Sequence, residues 1–82
     1  MHLKGRYNMA GITRIEMYYH EPNGVSFWTV RYTSGRRNVY TTGNGGTLPK
    51  TVKEFIDKAT EKQVKTRTGV ETWYEIRKEG EA

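Results

Sequence analysis

The first half of the chain alternates apolar and polar residues in three stretches that short turn sequences separate. Alternation with a period of two is typical of a half-buried β-strand, because successive side chains point to opposite faces of the sheet. The pattern predicts strands over residues 12–20, 25–33 and 36–42. Residues 21–24 (EPNG) and 34–35 (SG) lie between them and favour tight turns. We therefore predict an antiparallel three-stranded meander.

An apolar stripe with helical spacing follows a glycine-rich loop at residues 43–46. The members of the stripe are Leu48, Val52, Phe55, Ile56 and Ala59. This spacing predicts an amphipathic helix that begins near Thr47 and frays by about Gln63. Thr47 is one candidate N-cap, and Thr51 with Glu54 forms a competing capping box one turn later.

A further alternating stretch beyond Gly69 predicts a C-terminal strand that continues to Arg77. Residues 64–68 either pair with this strand as a hairpin or only lead into it. The expected fold class is α+β, a small antiparallel meander of three strands plus a C-terminal strand packed on one helix, in the order β-β-β-α-β. We expect a flexible basic arm at 1–11, with Met9 as an alternative start, one domain at 12–78 and a tail at 79–82.

The strand and helix patterns together define a core and leave one sheet face without a cover. The expected core consists of Ile15, Met17, Trp28, Val30, Tyr32, Val39, Leu48, Val52, Phe55 and Ile56. The opposite face is expected to carry Arg14, Glu16, Tyr18, Phe27, Thr29, Arg31, Arg36, Asn38 and Tyr40. Whether the C-terminal strand or a partner covers that face stays open in the sequence.

Composition narrows the class of protein. A length of 82 residues suits one small domain, and the lack of cysteine excludes disulfides, thiolate metal sites and cysteine nucleophiles. The net charge of +5 favours an anionic partner such as nucleic acid, an acidic protein surface or anionic lipid. No apolar run reaches the length of a membrane span, and the first residues lack a secretory signal. We therefore expect a cytoplasmic protein without a membrane segment.

Catalytic and metal-binding patterns are sparse. The glycine-rich loop precedes Lys50-Thr51, but Asn44 and Pro49 stand where a phosphate-binding loop requires glycine. His20 adjoins Glu21 at a turn, and no further residue stands at a spacing that would complete an acid–base or metal site. The sequence predicts that the protein is not an enzyme and needs neither a cofactor nor a metal.

The sheet face that the helix does not cover is the main functional clue. Arginine suits phosphates and guanine edges, asparagine suits adenine, and aromatic rings stack on unpaired bases. Arginine and tyrosine are also favoured at protein interfaces, so a nucleic acid and a protein both stay open as the partner. The candidate binding residues are Arg14, Arg31, Arg36, Arg37, Tyr18, Phe27, Asn38 and Tyr40.

The function we expect is that of a small basic nucleic-acid-binding accessory module of phage or mobile-element origin. The alternative is a small inhibitor or adaptor that binds a protein, such as a phage anti-defence (anti-CRISPR-like) protein that acts on a nucleoprotein complex. In either case the partner is nucleic acid, a nucleoprotein or an acidic protein surface.

Residues 28–31 (WTVR), 35–40 (GRRNVY) and 42–43 (TG) carry a resemblance to known DNA-binding domains. Followed by an amphipathic helix, they resemble the strand order of plant AP2-type domains and are similar to the N-terminal arm-binding domains of tyrosine integrases. Those families lay a three-stranded sheet, backed by one helix, into the major groove. The resemblance covers residues 12–60 and implies that Arg14, Arg31 and Arg36 contact bases or phosphates. The C-terminal strand is not part of that pattern.

Overall fold

The computed structural model describes residues 11–76. Its elements are β1 (Ile12–His20), β2 (Val25–Tyr32), β3 (Arg37–Thr42), α1 (Lys50–Lys58), β4 (Thr60–Lys65) and β5 (Gly69–Glu75). The five strands form one antiparallel sheet in the order β3-β2-β1-β5-β4, and α1 packs on one face. The predicted tail, the end of the domain at 78, residues 1–10 of the arm, Met9 and Arg77 lie outside the described residues.

The α+β class is confirmed, but the predicted order β-β-β-α-β lacks one strand. The helix ends at Lys58, and Ala59 is already extended with ψ of 156°. Residues 60–63, predicted as the fraying end of the helix, and residues 64–65, for which a hairpin with the last strand was one of two alternatives, form β4 and pair with β5. All six side chains of β4 are exposed, so the segment lacks the apolar alternation from which a strand could be predicted. Its conformation depends on hydrogen bonds to the neighbouring strand.

The helix begins later than predicted, and neither proposed cap is used. Pro49 is the N-cap residue, and no side chain caps the first turn. The backbone N–H groups of Val52 and Lys53 each donate to the Pro49 carbonyl at 3.1 Å. The proline ring restricts φ to the observed −60°, so the chain is held at the start of the helix without a capping hydroxyl.

The buried core lies between α1 and the middle of the sheet. Its members are Ile12, Ile15, Val30, Val52, Phe55 and Tyr74, with Thr72 as a buried polar neighbour. The β1–β2 register shifts between Ile12 and Arg14. A bulge of this kind adds one residue to a strand, and Ile12 and Ile15 are consequently both buried although three positions separate them.

The predicted orientation of β3 is wrong. Val39, predicted in the core, is 64% exposed, and Tyr40 packs against the core instead. The Tyr32 N–H donates to the Arg36 carbonyl at 3.0 Å, so the hairpin loop has three residues and not the two of the predicted Ser34-Gly35 turn. A shift of one residue in register moves every side chain of a strand to the other face.

The chain from β3 to β4 crosses the sheet from one edge to the other. Thr42 pairs with Ser26 near the His20 end of β1, whereas Thr60 pairs with Glu75 near the opposite end. The segment between them includes α1 and covers one face only. β5 lies beside β1 within the sheet, so it extends the second face and does not cover it.

Replacement of Phe55 tests the core. Phe55 is 1% exposed, so Phe55→Ala should lower the free energy of unfolding by about 3–5 kcal/mol. Val39→Ala serves as the control, because the exposed side chain should contribute less than about 1 kcal/mol. Chemical denaturation measures both variants. A larger loss for Val39→Ala than for Phe55→Ala would contradict the assignment of the two residues.

Tyr74 provides a pH-dependent test of the same core. Burial raises the pKa of the Tyr74 phenol above its usual 10.0, and the neighbouring Glu61 carboxylate raises it further as the smaller of the two causes. Because the pKa is raised in the folded state, the contribution of the neutral Tyr74 phenol to stability is complete below pH 10.0 and falls as the pH rises further. Between pH 9 and pH 11, a range of about two units around the usual tyrosine value, the free energy of unfolding of Tyr74→Phe should therefore fall less than that of the wild type. Parallel unfolding curves across that range would exclude the effect.

Candidate functional site

The sheet face opposite α1, here called the open face, is formed by side chains from all five strands. Residues that pair directly across an antiparallel ladder share a face, so the register assigns each one. The open face comprises Arg37, Val39 and Thr41 of β3, Val25, Phe27, Thr29 and Arg31 of β2, Arg14, Glu16, Tyr18 and His20 of β1, Glu71, Trp73 and Glu75 of β5, and Thr60, Lys62 and Val64 of β4.

Three arginines form a row across the open face. Arg14 pairs with Arg31, and Arg31 pairs in turn with Arg37. Neighbouring strands are about 4.8 Å apart, so the row extends over about 10 Å at its backbone positions. Like charges placed directly opposite each other destabilise a sheet, and acidic groups or an anionic partner beside the row would offset that repulsion.

Glu16 supplies part of that compensation. Arg31 donates from Nε and Nη2 to the two Glu16 carboxylate oxygens at 3.3 and 3.2 Å. Arg14 Nε lies 3.2 Å from Glu16 Oε2, and Arg14 Nη1 lies 3.4 Å from Glu75 Oε2. Arg37 has no ion pair within residues 11–76. The third arginine of the row is thus left without an acidic neighbour in the described part of the chain.

An aromatic cluster lies farther along the same face. The Tyr18 and Phe27 rings are nearly parallel, with centroids 6.4 Å apart and planes at 18°. The Tyr18 hydroxyl hydrogen-bonds with the Thr68 hydroxyl, which restrains the ring. Phe27 is 41% exposed, whereas Trp73 is half-buried on β5 beside Glu16.

Two concave regions adjoin Trp73. One has a volume of about 300 Å³, and its lining includes Glu16, Tyr18, Phe27, Thr29, Glu71 and Trp73. The other has a volume of about 370 Å³ and is lined by Arg14, Thr60, Glu61, Lys62, Trp73 and Glu75. The first, here called the aromatic cleft, joins the aromatic cluster to the acidic residue that holds the arginine row.

Three predicted site residues do not belong to the open face. Asn38 Nδ2 donates to the hydroxyls of Tyr32 and Tyr40 at 3.3 Å each, on the side that α1 covers. The Arg36 guanidinium lies 4.8 Å from the centroid of the Tyr32 ring on that same side. The prediction that grouped Arg36, Asn38 and Tyr40 with Arg31 is wrong, because the three-residue hairpin loop changes the face of each β3 residue.

The remaining predicted residues are brought together, and one important residue was missed. Arg14, Arg31, Tyr18 and Phe27 share the open face, and Arg37 joins them by direct pairing with Arg31. Trp73 was absent from the predicted site. Its alternation with Tyr74 was visible in the sequence, but no local pattern shows that β5 lies next to β1.

The residues considered for catalysis are not arranged as a pair. The Glu21 carboxylate accepts a hydrogen bond from Lys65 Nζ at 3.2 Å, and the His20 ring lies 5.9 Å from the Tyr18 ring between centroids. Residues 11–76 contain no group of three His, Cys, Asp or Glu side chains placed to hold a metal ion. The absence of enzymatic activity stays a prediction.

The described residues include no helix that is both long enough and apolar enough to cross a membrane. Within residues 11–76 the fold is a two-layer α+β domain in which α1 packs on one face of the sheet and leaves the other uncovered. No protein-family model, curated protein or solved structure matches the chain. The resemblance to AP2-type and integrase arm-binding domains therefore stays a prediction.

Removal of the Glu16 carboxylate tests its role between the arginines. Glu16→Gln should lower the free energy of unfolding by about 0.5–1 kcal/mol at low ionic strength, because Arg14 and Arg31 then repel each other. The loss should shrink in roughly 1 M salt, where charge interactions are screened within about 3 Å. The control is Glu21→Gln, which removes one exposed pair with Lys65. Equal losses at both ionic strengths would exclude repulsion as the cause.

Proposed function

We propose that this protein binds nucleic acid through the open face, with the arginine row as its phosphate contact. The observation that carries the proposal is the direct pairing of Arg14 with Arg31 and of Arg31 with Arg37. Three guanidinium groups on adjacent strands form a band of positive charge on a face that α1 leaves uncovered. Arginine is suited to this role because its planar fork binds phosphate oxygens in pairs.

The contacts of Glu16 position two of these guanidinium groups. Glu16 holds Arg31 through Nε and Nη2 and lies against Arg14 Nε. Arg31 Nη1 and Arg14 Nη2 make no hydrogen bond within residues 11–76. Glu16 therefore orients both side chains and leaves one terminal nitrogen of each for a ligand.

Arg37 is the strongest single candidate for a phosphate contact. It is exposed and belongs to the edge strand β3, and the described residues provide no acidic partner for it. A phosphate would supply the missing negative charge without competition from a carboxylate. An anionic backbone in contact with both Arg37 and Arg31 would also reduce the repulsion between these two side chains.

A protein partner is the second candidate, and the charge balance of the open face favours it. Four cationic and three anionic side chains share the face, which gives a net charge of +1. Exposed Phe27 and the adjacent Tyr18 ring are residue types that form the centres of protein interfaces. Such a partner would carry acidic residues opposite Arg37.

Matched charge removals test the nucleic-acid proposal. Arg37→Gln and Lys53→Gln each remove one exposed positive charge, the first from the open face and the second from α1. Arg37→Gln should reduce the slope of log affinity against log salt by about 0.7 for a single strand or 0.9 for a duplex. Lys53→Gln should leave the slope unchanged. Fluorescence anisotropy with labelled oligonucleotides over a range of salt concentrations measures both.

The outcomes separate the two candidate functions. Equal effects of Arg37→Gln and Lys53→Gln would indicate diffuse attraction to the whole molecule and would exclude the arginine row as the contact. No binding of any oligonucleotide at low salt would exclude nucleic acid and leave the protein partner. In that case Arg37→Gln should weaken the binding of an acidic protein and Lys53→Gln should not.

A further inference from the structure

The aromatic residues of the open face are placed for unpaired bases. Tyr18 and Phe27 pair directly across β1 and β2, and Trp73 lies one strand away on β5. Rings on an uncovered sheet stack on bases only where those bases are free of their complementary strand. In a duplex both faces of each base are already stacked, so the rings would gain nothing from contact with it.

The distance between the aromatic cleft and the arginine row suits one strand of nucleic acid. Glu16 and Trp73 lie two residues from the arginine row, and Tyr18 and Phe27 lie two residues farther. Each two-residue step is about 7 Å along a strand. A nucleotide whose phosphate contacts Arg14 or Arg31 therefore reaches the cleft with its base.

The charge inside the cleft decides which part of a nucleotide enters it. Glu71 lines the cleft without an ion pair in the described residues, so it repels a phosphate there, whereas Arg14 and Arg31 offset the charge of Glu16 on the same lining. A base is neutral, and its flat faces match the exposed ring of Phe27 and the half-buried ring of Tyr18. The base therefore enters the aromatic cleft, and the phosphate contacts the arginine row.

Glu71 provides a further restriction on the base. It pairs directly with Tyr18 across β1 and β5, and its carboxylate has no hydrogen bond or ion pair within residues 11–76. An ionised carboxylate only accepts hydrogen bonds, so it favours a base edge that donates. Cytosine donates from its exocyclic amino group, whereas thymine presents a carbonyl oxygen at the same position and donates only from its ring N3–H, between two carbonyl oxygens that a carboxylate repels.

We infer that the aromatic cleft binds an unpaired base that carries an exocyclic amino group, so that the ligand is single-stranded nucleic acid. This inference rests on the proposed function, because the arginine row holds the backbone of the same strand. Glu71 accepts the hydrogen bond from the base, and Tyr18, Phe27 and Trp73 supply the stacking surface.

Base preference is the first test. Labelled 12-mers of deoxycytidine and deoxythymidine, a length of about the site size of small single-strand-binding folds, are compared with the full chain. The cytidine oligomer should bind at least about fivefold more tightly, the lower end of the effect of a specific base contact. Glu71→Ala should bring the ratio of the two affinities close to one and should strengthen thymidine binding, because it removes a negative charge.

Glu54→Ala is the matched control for the charge effect. Glu54 is exposed on α1, on the opposite side of the sheet. Its replacement removes one negative charge, as Glu71→Ala does, but far from the cleft. The ratio of the two affinities should keep its wild-type value in Glu54→Ala. A ratio that falls equally in both variants would overturn the role of Glu71.

Stacking is tested with two variants at one position. Phe27→Leu keeps an apolar side chain but removes the ring, and Phe27→Tyr keeps the ring. Phe27→Leu should weaken single-strand binding at least about fivefold, in line with stacking on one base, and Phe27→Tyr should stay close to the wild type. Circular dichroism of both variants checks that the fold is retained.

Three results would overturn the inference, and each differs from the others. Tighter binding of a duplex than of either single strand would exclude unpaired bases as the ligand. Tight single-strand binding with equal affinity for cytidine and thymidine would exclude the amino-group contact. No binding of any oligonucleotide would remove the proposed function together with this inference, whereas the first two results leave nucleic-acid binding in place.

Discussion

The burial of Ile15 and Val30 beneath Val52 and Phe55 is the constraint on which the rest of the structure depends. One helix covers one side of the sheet, so no strand buries more than one of its faces. Once Ile15 and Val30 occupy that face, the alternate residues of β1 and β2 must point to the other. Arg14 and Arg31 therefore reach the open face as a consequence of packing on the opposite side.

The open face combines repulsion and compensation. Arginines on three adjacent strands repel one another, and Glu16 offsets this for two of them through contacts of 3.2–3.3 Å. Such exposed pairs contribute little to stability, about 0.2–1 kcal/mol. Their value lies in orientation, because a guanidinium held on one edge presents its other edge in a fixed direction.

Base and backbone contacts need different environments, and the proposed binding mode assigns them to different parts of the open face. A phosphate requires positive charge, whereas a base requires a flat apolar surface and a few polar groups at its edge. In the proposed binding mode Arg37 on β3 and the aromatic cleft on β1, β2 and β5 meet these requirements at separate places on the open face. The acidic groups that lower the net charge of the face are compatible with nucleic acid if they contact bases and not phosphates.

The sequence by itself determined the α+β class, the phase of β1 and β2 and the apolar stripe of α1, because these patterns depend on neighbours close in the chain. It also placed Arg14, Arg31, Tyr18 and Phe27 on one face correctly. Only the tertiary structure decided the rest. A one-residue difference in a hairpin loop reverses all of β3, and a fully exposed strand has no apolar period. The neighbour of β5 is set by pairing between residues about 50 to 60 positions apart in the chain.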